Sequence, residues 1–570
     1  MNQAAKTGAG RFGGLVIVSA LASAVLILFA IVPLVLLISR SFWNDGGLSL
    51  RPLQLAFTDA DTWGYALNTL MLATGTSAAT VLLGAPTAWL LARSDVPRPQ
   101  LLRTALAMPY AIPPYVMAIG WITLLNPRSG LLNAAIEQTL GLGPINLYST
   151  GGMIFVLSLS YFPLVMLQTY AALMGLDPSL EEAARTSGAS PWRVVIDVTL
   201  PLVSPAIASG ALLTFLIGMA SFGVPYLVGH PGRVEVLTTA IYNAIDVGTE
   251  EHLARAVALA VLLGTVAAGA LLLNRVLVGR GKALQGGKAG RQNRVALGPW
   301  RTPATVALWA LVTLALGVPL LVLVGTSLMT AWGRGLAMDN LSLANYAQVF
   351  GDRRTLSAIA TSVGLAASAA TICVLLGTIA SYMRDRTTLP GRRIIPFLAE
   401  LPYAIPGTVL AMGFILAFSQ ELWIILADTV YIKILLFNTA WILLAAYCVK
   451  YLAFGVRTAD AALTQVDVSL EEAARTSGAS PLKVLIEIVA PLLRPALVAA
   501  WVLVFLPALG EITMSILLFG PETRTLGVLL FDYQTYESPP KAAVLASLLA
   551  ITVLSGNLLV KRLTGGKLGI

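Results

Sequence analysis

Charged residues are scarce in this chain. They make up 11% of its 570 residues, whereas 57% are hydrophobic and the mean hydropathy is +0.80. A water-soluble protein needs roughly a quarter of its residues charged to cover its surface, so this composition excludes most soluble classes. The sequence therefore predicts a protein whose lateral surface faces lipid.

Cysteine and histidine are also rare, with two of each. Cys373 and Cys448 both lie in apolar stretches, and the sequence offers them no partners at the spacing of a disulfide framework or a thiolate metal site. We therefore expect two packing cysteines, and we expect the chain itself to hold no metal and no cofactor.

A phosphate-binding loop of the form G-x-x-x-x-G-K-[ST] is missing as well. The chain has no soluble stretch long enough for an ATPase domain. It is therefore predicted not to be an enzyme, and any ATP hydrolysis that drives it must take place on a separate polypeptide.

Long apolar runs are what the chain has in abundance. A helix needs about 20 apolar residues to cross roughly 30 Å of hydrocarbon, and six runs in each half of the chain qualify. They lie near residues 14–38, 65–91, 104–126, 151–174, 205–228, 254–278, 302–328, 356–382, 394–418, 430–456, 495–518 and 541–562. We therefore predict an all-α polytopic membrane protein with about 12 transmembrane helices and both termini on the same side.

Basic residues are distributed unevenly between the predicted loops. Assigning every second loop and both termini to one side collects 24 of the 37 Lys and Arg residues there. The opposite side includes an acidic loop at 229–253. The positive-inside rule then predicts that both termini are cytoplasmic. The formal net charge of +9 is thus interpreted as a topology signal and not as a nucleic-acid footprint.

The two halves of the chain repeat one another. The thirteen residues SLEEAARTSGASP occur at 179–191 and again at 469–481, an offset of 290, and PYAIP occurs at 109–113 and 402–406, an offset of 293. The repeats predict two tandem six-span modules, 1–278 and 302–570, of parallel topology. The basic segment 279–301 between them is predicted to be a solvated cytoplasmic linker.

Each thirteen-residue repeat is predicted to form two short helices that meet at a glycine. Asp177 or Ser179 can cap the first helix, Gly188 ends it, and Ser190 begins the second helix. The second helix is predicted to turn a largely apolar face toward the bilayer, made of Trp192, Val195, Ile196 and Thr199. The identity of the two copies favours a surface that docks on another protein over an ordered loop without a partner.

These residues resemble a known motif. In the first copy, Glu182-Ala183-Ala184, Gly188 and Pro201 are similar to the EAA loop of ABC importer permeases, the membrane subunits that are served by a periplasmic binding protein. The second copy, which includes Glu472, Gly478 and Pro491, fits as well, although Ala490 stands where the motif prefers leucine. The two loops of this kind lie near 178–201 and 468–491.

The resemblance implies a fused permease made of two modules in the bacterial inner membrane. Each loop would insert into a separate nucleotide-binding subunit, so the chain would bind two ATPase copies, which use the ATP, and a periplasmic substrate-binding protein. The docking residues implied are Glu181, Glu182, Ala183, Ala184, Arg185, Gly188, Glu471, Glu472, Ala473, Ala474, Arg475 and Gly478. An ion-coupled secondary carrier is the alternative class, and it would not need duplicated docking loops.

Three ionisable residues fall inside the predicted spans: Glu400, Lys450 and Glu511. Burying a charge in lipid is costly, so each is a functional candidate, although Lys450 is expected near a span end from which it can reach water. Glu511 corresponds to Ser221 in the first half. Prolines at 109–113 and 402–406 should bend their helices, which makes PYAIP either a candidate pore element or a packing kink between helices. We hypothesise a cation path formed by Glu400, Glu511, Tyr110, Tyr403 and Ser221.

Fused permeases of this length resemble the importers of ferric iron, thiamine and 2-aminoethylphosphonate. Residues 220–225 and 236–242, with Gly510-Glu511 in the second half, look like the corresponding regions of ferric iron permeases. A hard trivalent cation favours oxygen ligands, which agrees with the acids named above. The resemblance therefore implies iron(III) as the substrate, with 2-aminoethylphosphonate or thiamine as alternatives.

Overall fold

The computed structural model describes residues 13–44, 47–282, 294–335, 337–387, 392–403, 405–419, 422–426 and 430–563. Over these residues the chain is almost entirely helical, and its strands form two short antiparallel hairpins. Strand β1 (Trp43–Asn44) pairs with β2 (Gly47–Leu48), and β3 (Leu422–Leu426) pairs with β4 (Val430–Ile434).

The helices of the first half are α1 (Gly13–Leu26), α2 (Val32–Phe42), α3 (Arg51–Thr58), α4 (Ala60–Arg93), α5 (Pro99–Ala107), α6 (Pro114–Leu125), α7 (Leu131–Leu140), α8 (Thr150–Gly175), α9 (Pro178–Thr186), α10 (Pro191–Arg193), α11 (Leu200–Ala220), α12 (Leu237–Val247) and α13 (Glu250–Lys282). Short π-helical segments join α1 to α2 and α10 to α11, at Ile27–Ile31 and Val194–Thr199.

Those of the second half are α14 (Arg301–Val312), α15 (Val318–Ser327), α16 (Ala344–Gly351), α17 (Arg353–Arg386), α18 (Ile394–Tyr403), α19 (Gly407–Phe418), α20 (Ala440–Leu463), α21 (Val468–Thr476), α22 (Pro481–Val484), α23 (Ala490–Leu509), α24 (Ser515–Leu518), α25 (Leu526–Asp532) and α26 (Pro539–Leu563). The π-helical joints recur here at Thr313–Gly317 and Leu485–Val489.

Within the described residues, ten helices are long and apolar enough to cross a membrane, and the number rises to 12 if each of two bent helix pairs counts as one span. The bent pairs occupy two of the predicted spans, 104–126 and 394–418, and turn by 91° and 112°. Proline explains the bends, because it lacks an N–H group and disfavours a helical conformation in the residue before it. The all-α polytopic fold with tandem modules is confirmed.

Three predicted spans have other limits in the structure. The run at 430–456 was predicted as one helix, but residues 430–434 form strand β4 and the helix begins only at Ala440. The runs at 205–228 and 495–518 end as helices at Ala220 and Leu509, and both helices begin before the predicted start. Hydropathy alone could not separate the spans from the apolar short helices that follow them.

Equivalent local signals build equivalent helices in the two halves. The longest pair, α4 and α17, has 34 residues each, and both helices are capped by an aspartate, Asp59 or Asp352, whose side chain accepts a backbone N–H two residues on. Each then crosses a neighbour closely at a glycine: a Cβ on Gly84 would lie 2.8 Å from the carbonyl oxygen of Phe162 in α8, and one on Gly377 would lie 2.5 Å from Gly455 in α20.

The first span of each half packs against the bent pair of the other half. A Cβ on Gly120, in α6, would lie 2.8 Å from the carbonyl oxygen of Pro319, in α15. The reciprocal contact joins Gly413, in α19, to Pro33, in α2, at the same distance. Each half therefore holds the bent pair of the other, and the two bent pairs come together in the middle of the protein.

The predicted linker 279–301 is only partly placed, because residues 283–293 lie outside the described residues. Its start belongs to helix α13, and its end is bound to the first half: the backbone N–H of Val295 donates to the carbonyl oxygen of Arg93 (2.7 Å), and that of Leu297 donates to the Asp95 carboxylate (3.0 Å). Val295 and Leu297 are thus attached to the first half through their backbone N–H groups, and the cytoplasmic linker stays a prediction.

Candidate docking loops and transport cavity

The first docking loop has the local structure that its sequence predicts. Asp177 is the cap of helix α9, since its side chain accepts the backbone N–H of Ser179 at 2.9 Å. That hydrogen bond holds the pKa of the exposed Asp177 carboxyl below its ordinary value. The chain then turns at Gly188, whose φ of 87° suits glycine, and Ser190 caps the second helix by accepting the N–H of Arg193.

Corresponding contacts shape the second docking loop. Asp467 accepts the backbone N–H of Ser469 at 2.9 Å, which again lowers the pKa of this exposed carboxyl. Gly478 has a φ of 89°, and Ser480 accepts the N–H of Lys483 at 3.3 Å. Identical residues thus produce two loops with the same turn and the same caps.

In the first loop, one predicted docking residue faces the interior. Glu181 is 6% exposed, and its carboxylate accepts hydrogen bonds from the guanidinium Nε of Arg93 (3.1 Å) and from the hydroxyl of Thr199 (2.9 Å). Arg93 is the last residue of helix α4 and is itself 2% exposed. Glu181 therefore ties the loop to a membrane span and is not part of the exposed surface.

Glu471 takes the same place in the second loop. It is fully buried and forms an ion pair with the Nε of Arg386, the last residue of helix α17, at 3.1 Å. Arg386 also donates to the carbonyl oxygens of Leu463 (3.0 Å) and Val466 (2.8 Å). Each loop is thus anchored through the first glutamate of its Glu-Glu pair to an arginine at the end of the longest helix in its half.

Most of the other predicted docking residues lie on the outside of the two loops. The exposed ones are Glu182, Ala183, Gly188, Glu472, Ala473 and Gly478, and the half-buried ones are Ala184, Arg185 and Ala474. The side chain of Arg475 lies outside the described residues. In each loop the alanine next to the second glutamate is exposed, so a partner can approach the helix backbone closely there.

The predicted apolar face of the second helix is only partly exposed, since Val195 is half-buried and Thr199 is buried. Trp192 is 72% exposed and Ile196 is 45% exposed, as expected of side chains that face lipid. Thr199 was predicted on the same face, but it is buried with its hydroxyl against Glu181. The π-helical segment Val194–Thr199 changes the turn angle, so the spacing of a regular helix misplaces its last residue.

A cavity of about 380 Å³ lies where the two bent pairs meet. Three of the predicted path residues line it together: Tyr110 from the first bent pair, Tyr403 from the second, and Glu511, which follows helix α23. The prediction missed three further tyrosines in its lining, Tyr115, Tyr161 and Tyr451. Tyr115 stands on the same bent pair as Tyr110, whereas Tyr161 and Tyr451 stand on helices α8 and α20 and are brought to the cavity by tertiary packing.

Glu511 is held firmly at the cavity wall. Its carboxylate accepts the backbone N–H groups of Met514 and Ser515 (3.0 Å each) and the hydroxyl of Ser515 (2.8 Å), and the residue is 7% exposed. These donors belong to the start of the short helix α24, where a carboxylate is favoured. The carbonyl oxygen of Gly510 accepts the Tyr115 hydroxyl at 3.1 Å, which joins the two halves.

The other three candidates lie elsewhere. Glu400 is exposed, is paired with Arg457 at 3.8 Å and does not line the cavity. Ser221 also lies outside it, and its carbonyl oxygen accepts the hydroxyl of Thr238 at 2.7 Å. Lys450 was expected near a span end, but it lies in the middle of helix α20 and donates to the carbonyl oxygen of Ile405 at 3.4 Å. The error arose because the helix begins ten residues later than the apolar run.

Among the described residues, no three His, Cys, Asp or Glu side chains are grouped so that they could hold a metal ion. In this part of the chain the cavity offers one carboxylate together with tyrosine hydroxyls. This set of donors is too small to hold a metal ion tightly.

Known proteins of similar sequence are transport permeases. Over 429 residues the chain is 29% identical to a protein assigned as a ferric transport system permease in Haemophilus influenzae, which covers 73% of this chain and 64% of that protein. It is 30% identical over 425 residues to the ferric transport system permease of Actinobacillus pleuropneumoniae, covering 73% of this chain and 59% of that protein. The chain therefore spans about three fifths of the length of these two relatives.

A shorter relative matches one half of the chain. The molybdenum transport system permease of Escherichia coli is 32% identical over 183 residues, which are 31% of this chain and 78% of that protein. The sequence profile of one permease family matches twice, over residues 80–280 and 373–565, and the two matches cover more than half of the chain. The chain belongs to the family of binding-protein-dependent transport system inner membrane components.

Proposed function

We propose that this chain is the membrane subunit of an ATP-driven importer and carries iron(III) that a periplasmic binding protein delivers. Membership in the binding-protein-dependent family supports the importer role. In the proposed complex, residues 1–278 and 302–570 act as two modules joined by the linker 279–301. The chain forms the translocation path and does no covalent chemistry.

Two ATPase subunits dock on the two loops in this proposal. The observation that supports it most is the repeated surface around Ala183 and Ala473: each alanine is exposed, while the glutamate two positions before it ties the loop to a span. A movement of the docked ATPases would thus pass through Arg93 and Arg386 into the long helices α4 and α17. ATP is used only on the partner subunits.

The protein is a multi-pass inner membrane protein by its apolar helices and its family. We place both docking loops, and both termini, in the cytoplasm. The excess of Lys and Arg in the loops on that side supports this orientation.

Iron(III) is proposed because two relatives that match both halves of the chain are named for ferric transport. The oxygen atoms that line the cavity, from Glu511, Tyr110 and Tyr403, suit a hard cation. The molybdenum permease matches only 31% of the chain and is named for a solute of different chemistry. Thiamine and 2-aminoethylphosphonate are the alternatives that the same uptake measurement would reveal.

Docking can be tested by substituting both exposed alanines, Ala183→Arg with Ala473→Arg. The bulky charged side chains should abolish co-purification with the ATPase and ATP-dependent uptake into proteoliposomes that contain the whole complex. Ala135→Arg is the matched control, because Ala135 is equally exposed on helix α7, far along the chain from either loop. Uptake that persists in the double variant, or that runs on an ion gradient without ATPase, would refute the proposal and favour the secondary carrier.

The path is tested by comparing two glutamates. Glu511→Gln removes the one charge that the described residues contribute to the cavity lining, so the rate of iron(III) uptake should fall about tenfold or more if the carboxylate contacts the ion. Glu400→Gln makes the same chemical change outside the cavity and should leave the rate unchanged. Tyr403→Phe removes a lining hydroxyl without touching the cap of α24 and should give a smaller loss. Equal rates for Glu511→Gln and the wild type would exclude this path, and ATP-coupled uptake of another solute only would exclude iron.

A further inference from the structure

A groove on the outer face of the second half has an unusual composition for a surface that contacts lipid. It has a volume of about 530 Å³ and runs between helices α17 and α23. Its walls are apolar, with Val374 and Leu375 on one side and Leu497 and Val498 on the other, but Arg494 also lines it. Leu375 is 59% exposed, so the groove is open to whatever surrounds the protein.

Arg494 lies close to the cytoplasmic end of its helix. It is three residues beyond Pro491, where the proposed docking loop 468–491 ends, and a rise of 1.5 Å per residue places it about 5 Å along helix α23 from there. A guanidinium at this depth is costly unless it reaches an anion or the membrane surface. Its side chain is long enough to extend back toward the mouth of the groove, where Ile486, Ala490 and Pro491 lie.

No carboxylate of the described residues forms an ion pair with Arg494. The acid two turns before it on the same helix, Glu487, is paired with Lys483 at 3.9 Å. The residues one turn away from Arg494, Ala490 and Val498, are apolar. The positive charge thus faces the groove and is available to an anion that comes from outside the chain.

Trp501 lies two turns deeper in the same groove. Its indole N–H donates to the hydroxyl of Thr371 on helix α17 (3.0 Å), and its ring stacks on Phe505 with the centroids 4.8 Å apart. The hydrogen bond fixes a flat aromatic wall between the two helices. The groove therefore has a cationic end near the membrane surface and an apolar, rigid end toward the membrane centre.

We propose that this groove binds one acidic phospholipid, with its phosphate on the guanidinium of Arg494 and an acyl chain along Leu375, Val498 and Trp501. The guanidinium of arginine matches the geometry of phosphate oxygens. A lipid with a net negative charge is favoured over a zwitterionic one, because the headgroup of the acidic lipid has no ammonium group that would offset the charge of the phosphate. The occupant is a lipid and not a protein, since both walls belong to spans whose outer faces lie in hydrocarbon.

The first half carries neither the arginine nor the tryptophan of this groove at the corresponding positions. The repeat offset of 290 places Ser204 opposite Arg494 and Ala211 opposite Trp501, and the hydroxyl of Ser204 donates to the carbonyl oxygen of Pro201 (2.8 Å). The groove in the second half thus differs from its counterpart by the two side chains that would hold the lipid. The proposed site is independent of the solute that the protein transports.

The test uses quenching of tryptophan fluorescence by brominated lipids in nanodiscs that contain the full chain. Brominated phosphatidylglycerol should quench the wild type more strongly than brominated phosphatidylcholine, with an apparent preference of about fivefold at the site. Arg494→Ser, which installs the residue of the first half, should abolish the difference. Because the chain has ten other tryptophans, the quenching of Trp501 is measured as the difference between each protein and the same protein with Trp501→Phe.

Two controls separate this site from general effects of charge. Arg393→Ser removes an exposed positive charge outside the groove and should keep the preference. Arg494→Lys should keep part of it, and the thermal unfolding midpoint of each variant in phosphatidylcholine should equal that of the wild type. Equal quenching by the two lipids in the wild type, a preference that survives Arg494→Ser, or competition by inorganic phosphate alone would each overturn the proposal.

Discussion

The two docking loops have thirteen residues in common but are held by different contacts. In the first loop, Glu181 meets the almost fully buried Arg93 and the hydroxyl of Thr199. In the second loop, Arg386 is 14% exposed along its side chain and shares its donors between Glu471 and two backbone carbonyl oxygens. Identical sequence therefore specifies the exposed surface of each loop, while the attachment to the spans depends on residues far away in the chain.

The largest difference between the loops should follow removal of the anchoring acid. Glu181→Ala leaves the buried Arg93 without its carboxylate, which should lower the free energy of unfolding by about 3–5 kcal/mol. Glu471→Ala should cost clearly less, because Arg386 keeps its bonds to Leu463 and Val466. The thermal unfolding midpoints of the two variants in nanodiscs measure the order.

Neighbouring glutamates are the controls for this comparison. Glu182→Ala and Glu472→Ala change exposed positions next to the anchors, so they should leave the unfolding midpoint nearly unchanged. Equal midpoints for Glu181→Ala and Glu471→Ala would show that the different surroundings of the two arginines have no energetic consequence.

Local features of the loops could be predicted from the sequence, but the split between anchor and surface could not. Asp177, Gly188 and Ser190 act through hydrogen bonds and turns within a few residues, so their pattern is sufficient. The burial of Glu181 depends on Arg93, which is 88 residues away. Two adjacent glutamates look alike in the sequence, and only tertiary contacts distinguish them.

The cavity shows the same limit on a larger scale. Proline predicted the two bends, and Glu511 stood out as an acid in an apolar run. The packing of each first span against the bent pair of the other half brings the bent pairs together. It depends on close contacts between residues that are distant in the chain, such as Gly120 and Pro319. Sequence reasoning therefore grouped Glu400 with Glu511, whereas the structure pairs Glu400 with Arg457 on the outside.

A smaller effect should come from the hydroxyl that only the first loop has. Thr199→Val installs the residue that stands at the equivalent position 489 and removes one hydrogen bond to Glu181, which should cost about 1–2 kcal/mol. Val489→Thr is the reciprocal change, and it should not stabilise the second loop because Glu471 is already engaged by Arg386. Unfolding midpoints measure both changes, and a stabilising Val489→Thr would contradict the view that the second anchor is complete.

The smallest effect concerns the helix caps, where the two loops are most alike. Backbone hydrogen bonds hold the pKa values of Asp177 and Asp467 below the ordinary value of about 3.9. Each cap therefore contributes its full stability above about pH 4 and loses it as the pH falls through the lowered pKa. Asp177→Asn and Asp467→Asn keep a capping oxygen that does not titrate, so each variant should match the wild type at pH 7 and lose less stability between about pH 4 and 3.

The two caps differ in the charges near them. The positive charge of Arg386 also lowers the pKa of Asp467, whereas the pKa of Asp177 is lowered by its hydrogen bonds to Ser179. Raising the salt concentration should therefore shift the acid transition of the second cap more than that of the first, and unfolding midpoints measured across pH at two ionic strengths decide it. If salt shifts the acid transition of both caps equally, the loops differ only in their buried anchors and not in the electrostatic potential at their surface.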